Sequence, residues 1–106
     1  MEILVATSHD FALLRDGRPV ASGAWDDVRR ASAGPRAGLP ADTLCLVLTL
    51  RDGTTFVARD DAPGWDDLLD AAESALPGLP RRHLWWAEAQ AADADHPVVL
   101  YERRER

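Results

Sequence analysis

The stretch TLCLVLTLRDGTTFVA, Thr43 to Ala58, decides the fold. Leucine stands at every even position from 44 to 50, and Thr, Cys, Val and Thr at the odd positions from 43 to 49. Successive side chains of an extended chain point to opposite faces, so both faces of this segment are mostly apolar, the pattern of a central strand. Asp52-Gly53 follows. Both residue types tolerate the positive φ that a tight hairpin turn demands, and Thr54 to Ala58 returns as the partner strand. A hairpin this apolar needs further strands beside it and a layer over it.

The strands are supplied upstream. Ile3 to Ala6, Phe11 to Leu14 and Val20 to Gly23 read as three short strands, the last two joined through a second Asp-Gly at Asp16-Gly17. Trp25-Asp26-Asp27-Val28 fits either the opening of another strand or one turn of helix, because its apolar spacing is too brief to decide. Gly34 to Pro40 holds two Gly and two Pro and reads as a loop.

The covering layer lies downstream, where the period changes. Trp65, Leu68, Leu69, Ala72 and Leu76 recur at helical spacing, while Asp66, Asp67, Asp70 and Glu73 fill the other face. Asp61 and Pro63 suit the start of this helix, and Leu76-Pro77-Gly78 ends it. Pro80 can open a second helix from about Arg81 towards Ala92, closed by His96-Pro97. Val98 to Tyr101 is then a last strand, and Glu102 to Arg106 a polar tail. The expected fold is α+β: an antiparallel sheet of five to seven strands, a meander of hairpins, with two helices packed on one face.

Composition bounds the functions open to such a fold. A chain of 106 residues, 46% hydrophobic and 28% charged, is the size of one domain and has the usage of a globular protein. The whole of 1–106 reads as one domain. Eighteen acidic residues face twelve arginines and no lysine, for a net charge of −6. Such a balance repels a phosphate backbone, so nucleic acid is not expected as a partner. A lone Cys45 excludes an intramolecular disulfide, the start of the chain does not read as a signal peptide, and the longest apolar run is too short for a bilayer. A bacterial, cytoplasmic protein without a membrane contact is expected.

No reactive constellation emerges. Ser8-His9-Asp10 has the residue types of a hydrolase triad, yet neighbours on an extended chain diverge, and a turn in which Ser8 or Asp10 bonds nearby amides is the expectation. Cys45 sits between leucines, where desolvation keeps a thiol inert. Asp93-Ala94-Asp95-His96 lacks the Gly and distal Glu of a calcium loop and the spacing of a zinc site. No catalytic residue, metal or cofactor is therefore assigned.

Trp25-x-x-Val28, Asp42-x-x-Cys45-Leu46, Asp60-x-x-Pro63-Gly64-Trp65-x-x-Leu68 and Leu76-Pro77-Gly78 occur in that order. In this series the chain resembles a family of small, uncharacterised bacterial proteins. The resemblance spans most of the chain and implies a shared fold. That family has no established catalytic residues and no cofactor, so the resemblance implies none here. The opening strands with Trp25 to Val28 also resemble pleckstrin-homology sheets, which implies a partly open barrel as the alternative, although Val98 to Tyr101 departs from that fold's helical ending.

What remains is a candidate surface. In LPRRHLWWAEAQ, 79–90, neighbouring helical residues lie about 100° apart, so Trp85 and Trp86 cannot both face the core. Ala89 and Ala92 extend the stripe of Trp85, which places Trp85 inside and Trp86 at the rim, four residues after Arg82 and within reach of a cation–π contact. Trp86, Arg82 and His83, with the carboxylates Asp66, Asp67 and Asp70, form the expected interaction surface. It suits a basic protein partner, in a non-catalytic module of the immunity or inhibitor type. The rival is a small-ligand binder or enzyme with a pocket between sheet and helices, lined by Trp85 or Trp86, Arg81, Arg82 and His83. The sequence does not specify an oligomeric state.

Overall fold

The computed structural model describes residues 1–40 and 43–103. Asp42 of the motif series and positions 104–106 of the polar tail lie outside the described residues. The order is β1 (Glu2–Ala6), β2 (Asp10–Arg15), β3 (Arg18–Ala24), a 3₁₀ turn (Trp25–Asp27), β4 (Val28–Gly34), β5 (Cys45–Leu50), β6 (Thr55–Arg59), α1 (Trp65–Ala75), α2 (Arg82–Ala91) and β7 (Val98–Glu102). The fold is α+β, and every strand pairing is antiparallel.

The seven strands divide between two sheets, β1-β2-β3 and β6-β5-β4-β7, and among the described residues no barrel closes. The division occurs at Trp25. Its 3₁₀ turn takes the chain out of the first sheet before β4 begins in the second, so the segment is a helical turn followed directly by a strand. Trp25 is buried, and its indole Nε1 donates to the carbonyl of Thr7 at 2.9 Å. Phe11 of β2 meets Trp25 at a centroid distance of 4.5 Å and Phe56 of β6 at 4.7 Å, so an aromatic row joins the two sheets.

β5 lies between β6 and β4, as its apolar faces require. β4 was not anticipated as a full strand, since its Ala31, Ser32, Ala33 and Gly34 carry little hydrophobic signal. Their smallness has a packing purpose: Ala31 and Ala33 are completely buried, and α2 lies over β4 and β7. α1 instead covers β1, and its N-terminus is tied there by the bond from the Leu4 amide to the Pro63 carbonyl at 2.8 Å. Asp61 gives no side-chain cap to α1; the residue before the helix is Gly64, at φ 91°. β7 runs through Glu102, one residue into the expected tail, and the Arg103 amide still bonds the Arg29 carbonyl.

One cluster of buried side chains runs through both sheets and both helices, from Leu4 and Phe11 to Trp65, Trp85 and Leu100. No helix among the described residues is long and apolar enough to cross a membrane.

Candidate functional site

α1 turns Trp65, Leu68, Leu69 and Ala72 inward, which leaves Asp66, Asp67 and Asp70 on the solvent side. α2 starts at Arg82, after the extended Arg81, and has no side-chain cap of its own. The cap comes from the neighbouring helix: Glu73 Oε2 accepts the backbone amide of Arg82 at 3.0 Å. A carboxylate there satisfies an orphan amide and complements the positive end of the α2 dipole.

The Arg82 side chain runs back over the same helix. Its guanidinium donates to Asp66 Oδ1 at 3.1 Å and to Asp70 Oδ1, and lies 3.6 Å from Glu73 Oε2. Asp66 and Asp70, one turn apart, form the two sides of a clamp on one cation. The clamp leaves the carboxylates in water, with the Asp66 side chain 85% and the Asp70 side chain 69% exposed.

Trp85 is the inner indole, 4% exposed, packed in the core with Nε1 donating to the Pro80 carbonyl at 3.2 Å. Trp86 is partly buried, edge-on to Trp65 at 6.3 Å and tilted against Trp85 at 5.9 Å. The guanidinium of Arg82, which the spacing put within reach of Trp86, is directed to three carboxylates of α1, and the ring partners of Trp86 are Trp65 and Trp85. Trp65, Trp85 and Trp86 thus form a contiguous aromatic group where α1 and α2 meet. Arg82, Asp66, Asp70 and Trp86 thus come together at the junction of α1 and α2, while Asp67 and His83 are exposed on the same helices. Sequence reasoning missed Glu73 as the cap and Leu84 as a surface residue. The cap had no local signal, being nine positions from the amide it serves. Leu84, 68% exposed, could have been found from its place about 100° round the helix from the Trp85 stripe.

The other candidates lie elsewhere in the fold. Around Ser8-His9-Asp10 the turn is organised by Thr7, whose hydroxyl donates to Asp10 Oδ1 at 2.8 Å and accepts the amides of His9 and Asp10 at 3.1 Å, so Ser8 and Asp10 do not cap those amides. Cys45 is buried in β5, and desolvation pushes its thiol pKa up despite the opposing charges of Arg36 and Arg59. Asp93 to His96 is an exposed turn closed by the His96 amide on the Asp93 carbonyl, and among the described residues no group of three or more His, Cys, Asp or Glu could hold a metal.

Comparison of the chain with protein-family models, curated proteins and solved structures returns no match.

Proposed function

We propose that this chain is a non-catalytic protein-interaction module of a bacterial cytoplasm, of the immunity or inhibitor type, and that its partner is a basic protein docking on the outer face of α1. The observation that carries this reading is the Arg82 clamp. It orients Asp66 and Asp70 beside one another while leaving them largely exposed, and Asp67 adds a further charge on the exposed side. A carboxylate surface held rigid before binding loses less side-chain freedom on association than a loose one, and its field speeds encounter with a cation-rich surface. Trp86 lies at the edge of this surface as a half-covered aromatic anchor. The net charge of −6 disfavours nucleic acid in the same measure as it favours a basic protein.

The test is capture of host proteins by the purified chain at low and at moderate salt, beside the triple variant Asp66→Asn, Asp67→Asn, Asp70→Asn. The expected result is a basic protein retained by the parent at low salt, weakened by salt, and lost with the variant while its thermal unfolding remains cooperative. Retention of the same protein by the variant, or no retained basic protein at low salt, overturns the reading.

A further inference from the structure

A second charged feature, of opposite sign, lies at the end of the four-stranded sheet where β4 begins and β5 and β7 finish. A concavity of about 430 Å³ opens beside the β4–β7 pair, lined by Arg29, Arg30, Glu102 and Arg103 together with Thr49, Leu50 and Gly53 of the β5 end. We propose that it is a binding site for a small-molecule ligand bearing a doubly charged oxyanion group, a phosphate monoester or a dicarboxylate.

Three features of the backbone and side chains build the site. The first is a bulge in β4. Val28 pairs with Leu50 and Arg30 with Thr49, so Arg29 is the extra residue, and both arginines are exposed in succession where a regular strand would turn one of them to the core. The second is the preparation of Arg103. Its Nε donates to the Tyr101 hydroxyl at 3.1 Å, a terminal nitrogen donates to the Asp26 carbonyl at 2.7 Å, and its own amide is held by the Arg29 carbonyl. Arg15, Arg59 and Arg82 each close on a carboxylate, whereas these partners of Arg103 are neutral oxygens that orient the guanidinium and leave its charge uncompensated. The third is the weakness of the internal competitor. Glu102 faces Arg30 across the β4–β7 pair at 3.9 Å, with both side chains about half exposed, a contact that a better-placed anion can displace. Gly53 lines the concavity without a side chain to fill it.

The chemistry that these groups recognise is a compact oxyanion with more than one acceptor. Forked guanidinium donors match the spacing of oxygens on phosphate and carboxylate alike. Among the lining residues one carboxylate stands against three guanidinium groups, a local excess of positive charge within an acidic protein that favours a dianion over a monoanion. The site lies apart from the α1 face and does not depend on the function proposed for it.

The test is a titration of the isotope-labelled chain at low ionic strength, followed by amide and arginine Nε resonances, with inorganic phosphate in one arm and succinate in the other. Saturable shifts are expected at Arg29, Gly53 and Arg103 with half-saturation on the order of millimolar, as befits solvent-facing charges. Saturation by phosphate alone identifies a phosphate monoester as the class, by succinate alone a dicarboxylate, and either supports the site. Arg29→Gln should weaken binding roughly tenfold, the loss of one charge-assisted contact. The matched change Arg18→Gln, on exposed β3, should leave it unaltered. Glu102→Gln should tighten binding by removing the competitor, and Glu88→Gln, an equal change of charge on α2, should not. Absence of saturation with both anions overturns the proposal, as do equal effects of Arg29→Gln and Arg18→Gln.

Discussion

Gly64 lies against the backbone of Leu4 so closely that a Cβ added to it would stand 1.9 Å from the Leu4 carbonyl oxygen. The neighbouring bond from the Leu4 amide to the Pro63 carbonyl draws the start of α1 onto the edge of β1. The same glycine holds φ at 91°, a conformation that an L side chain resists. Two independent requirements therefore fall on one residue.

Gly64→Ala is expected to destabilise the fold by about 2–4 kcal/mol, since a backbone clash adds to the strain of a positive φ. Gly53, also at positive φ but with nothing within 4 Å of an added Cβ, isolates the conformational part, and Gly53→Ala should cost about 1 kcal/mol. Urea unfolding of both variants measures the difference. Equal losses would mean that α1 can move off β1 without cost.

Arg82→Met retains much of the side-chain stem and removes the cation from Asp66, Asp70 and Glu73. The expected loss is about 1 kcal/mol at low ionic strength, because the carboxylates are largely in water and their mutual repulsion is then unrelieved. The loss should shrink in 1 M salt, where screening acts within about 3 Å. Unfolding curves at the two salt concentrations check it. A loss independent of salt would assign the role of Arg82 to packing.

The buried Cys45 thiol is held neutral by desolvation, with its pKa raised above the ordinary thiol value. In the unfolded chain it loses its proton first. Its effect on stability is therefore nil below the ordinary thiol range, and stability falls as pH rises through that range towards the raised folded value. Iodoacetamide at neutral pH should modify the native protein far more slowly than the protein in urea, with free-peptide rates only after unfolding. Fast modification of the native state would place the thiol at the surface.

The hairpins and helices were legible in the sequence because their signals are local. Asp52-Gly53 specifies its own turn, and Trp65 to Ala72 specify one helical face. β4 was not, because Ala31, Ser32, Ala33 and Gly34 gain their meaning from the approach of α2 over them. The division into two sheets was hidden for a related reason. It depends on where Trp25 packs, against Phe11 and under the Thr7 carbonyl, and neither contact has a sequence signature.

The candidate surface followed the same division. Helical spacing was enough to separate Trp85 from Trp86. The destination of Arg82 was beyond it, since an arginine four residues before a tryptophan and sixteen after an aspartate is attracted to both, and only the packing of α1 against α2 brings the carboxylates within reach. The arginine cluster around Arg29 and Arg103 was equally hidden, its members being far apart in the chain until β4 and β7 pair.

That late pairing also sets an order of events for the nascent chain. Arg103 reaches the Asp26 carbonyl across 77 positions, so β4 lacks one neighbour until both helices have been synthesised. Contacts of such long separation must overcome the entropy of closing a large loop and are slow to form. The β1-β2-β3 meander can assemble while the rest of the chain is still emerging; the second sheet waits. During that interval the open margin of β4 is a template on which another polypeptide could pair, and the speed with which β7 arrives governs how much of the protein escapes aggregation.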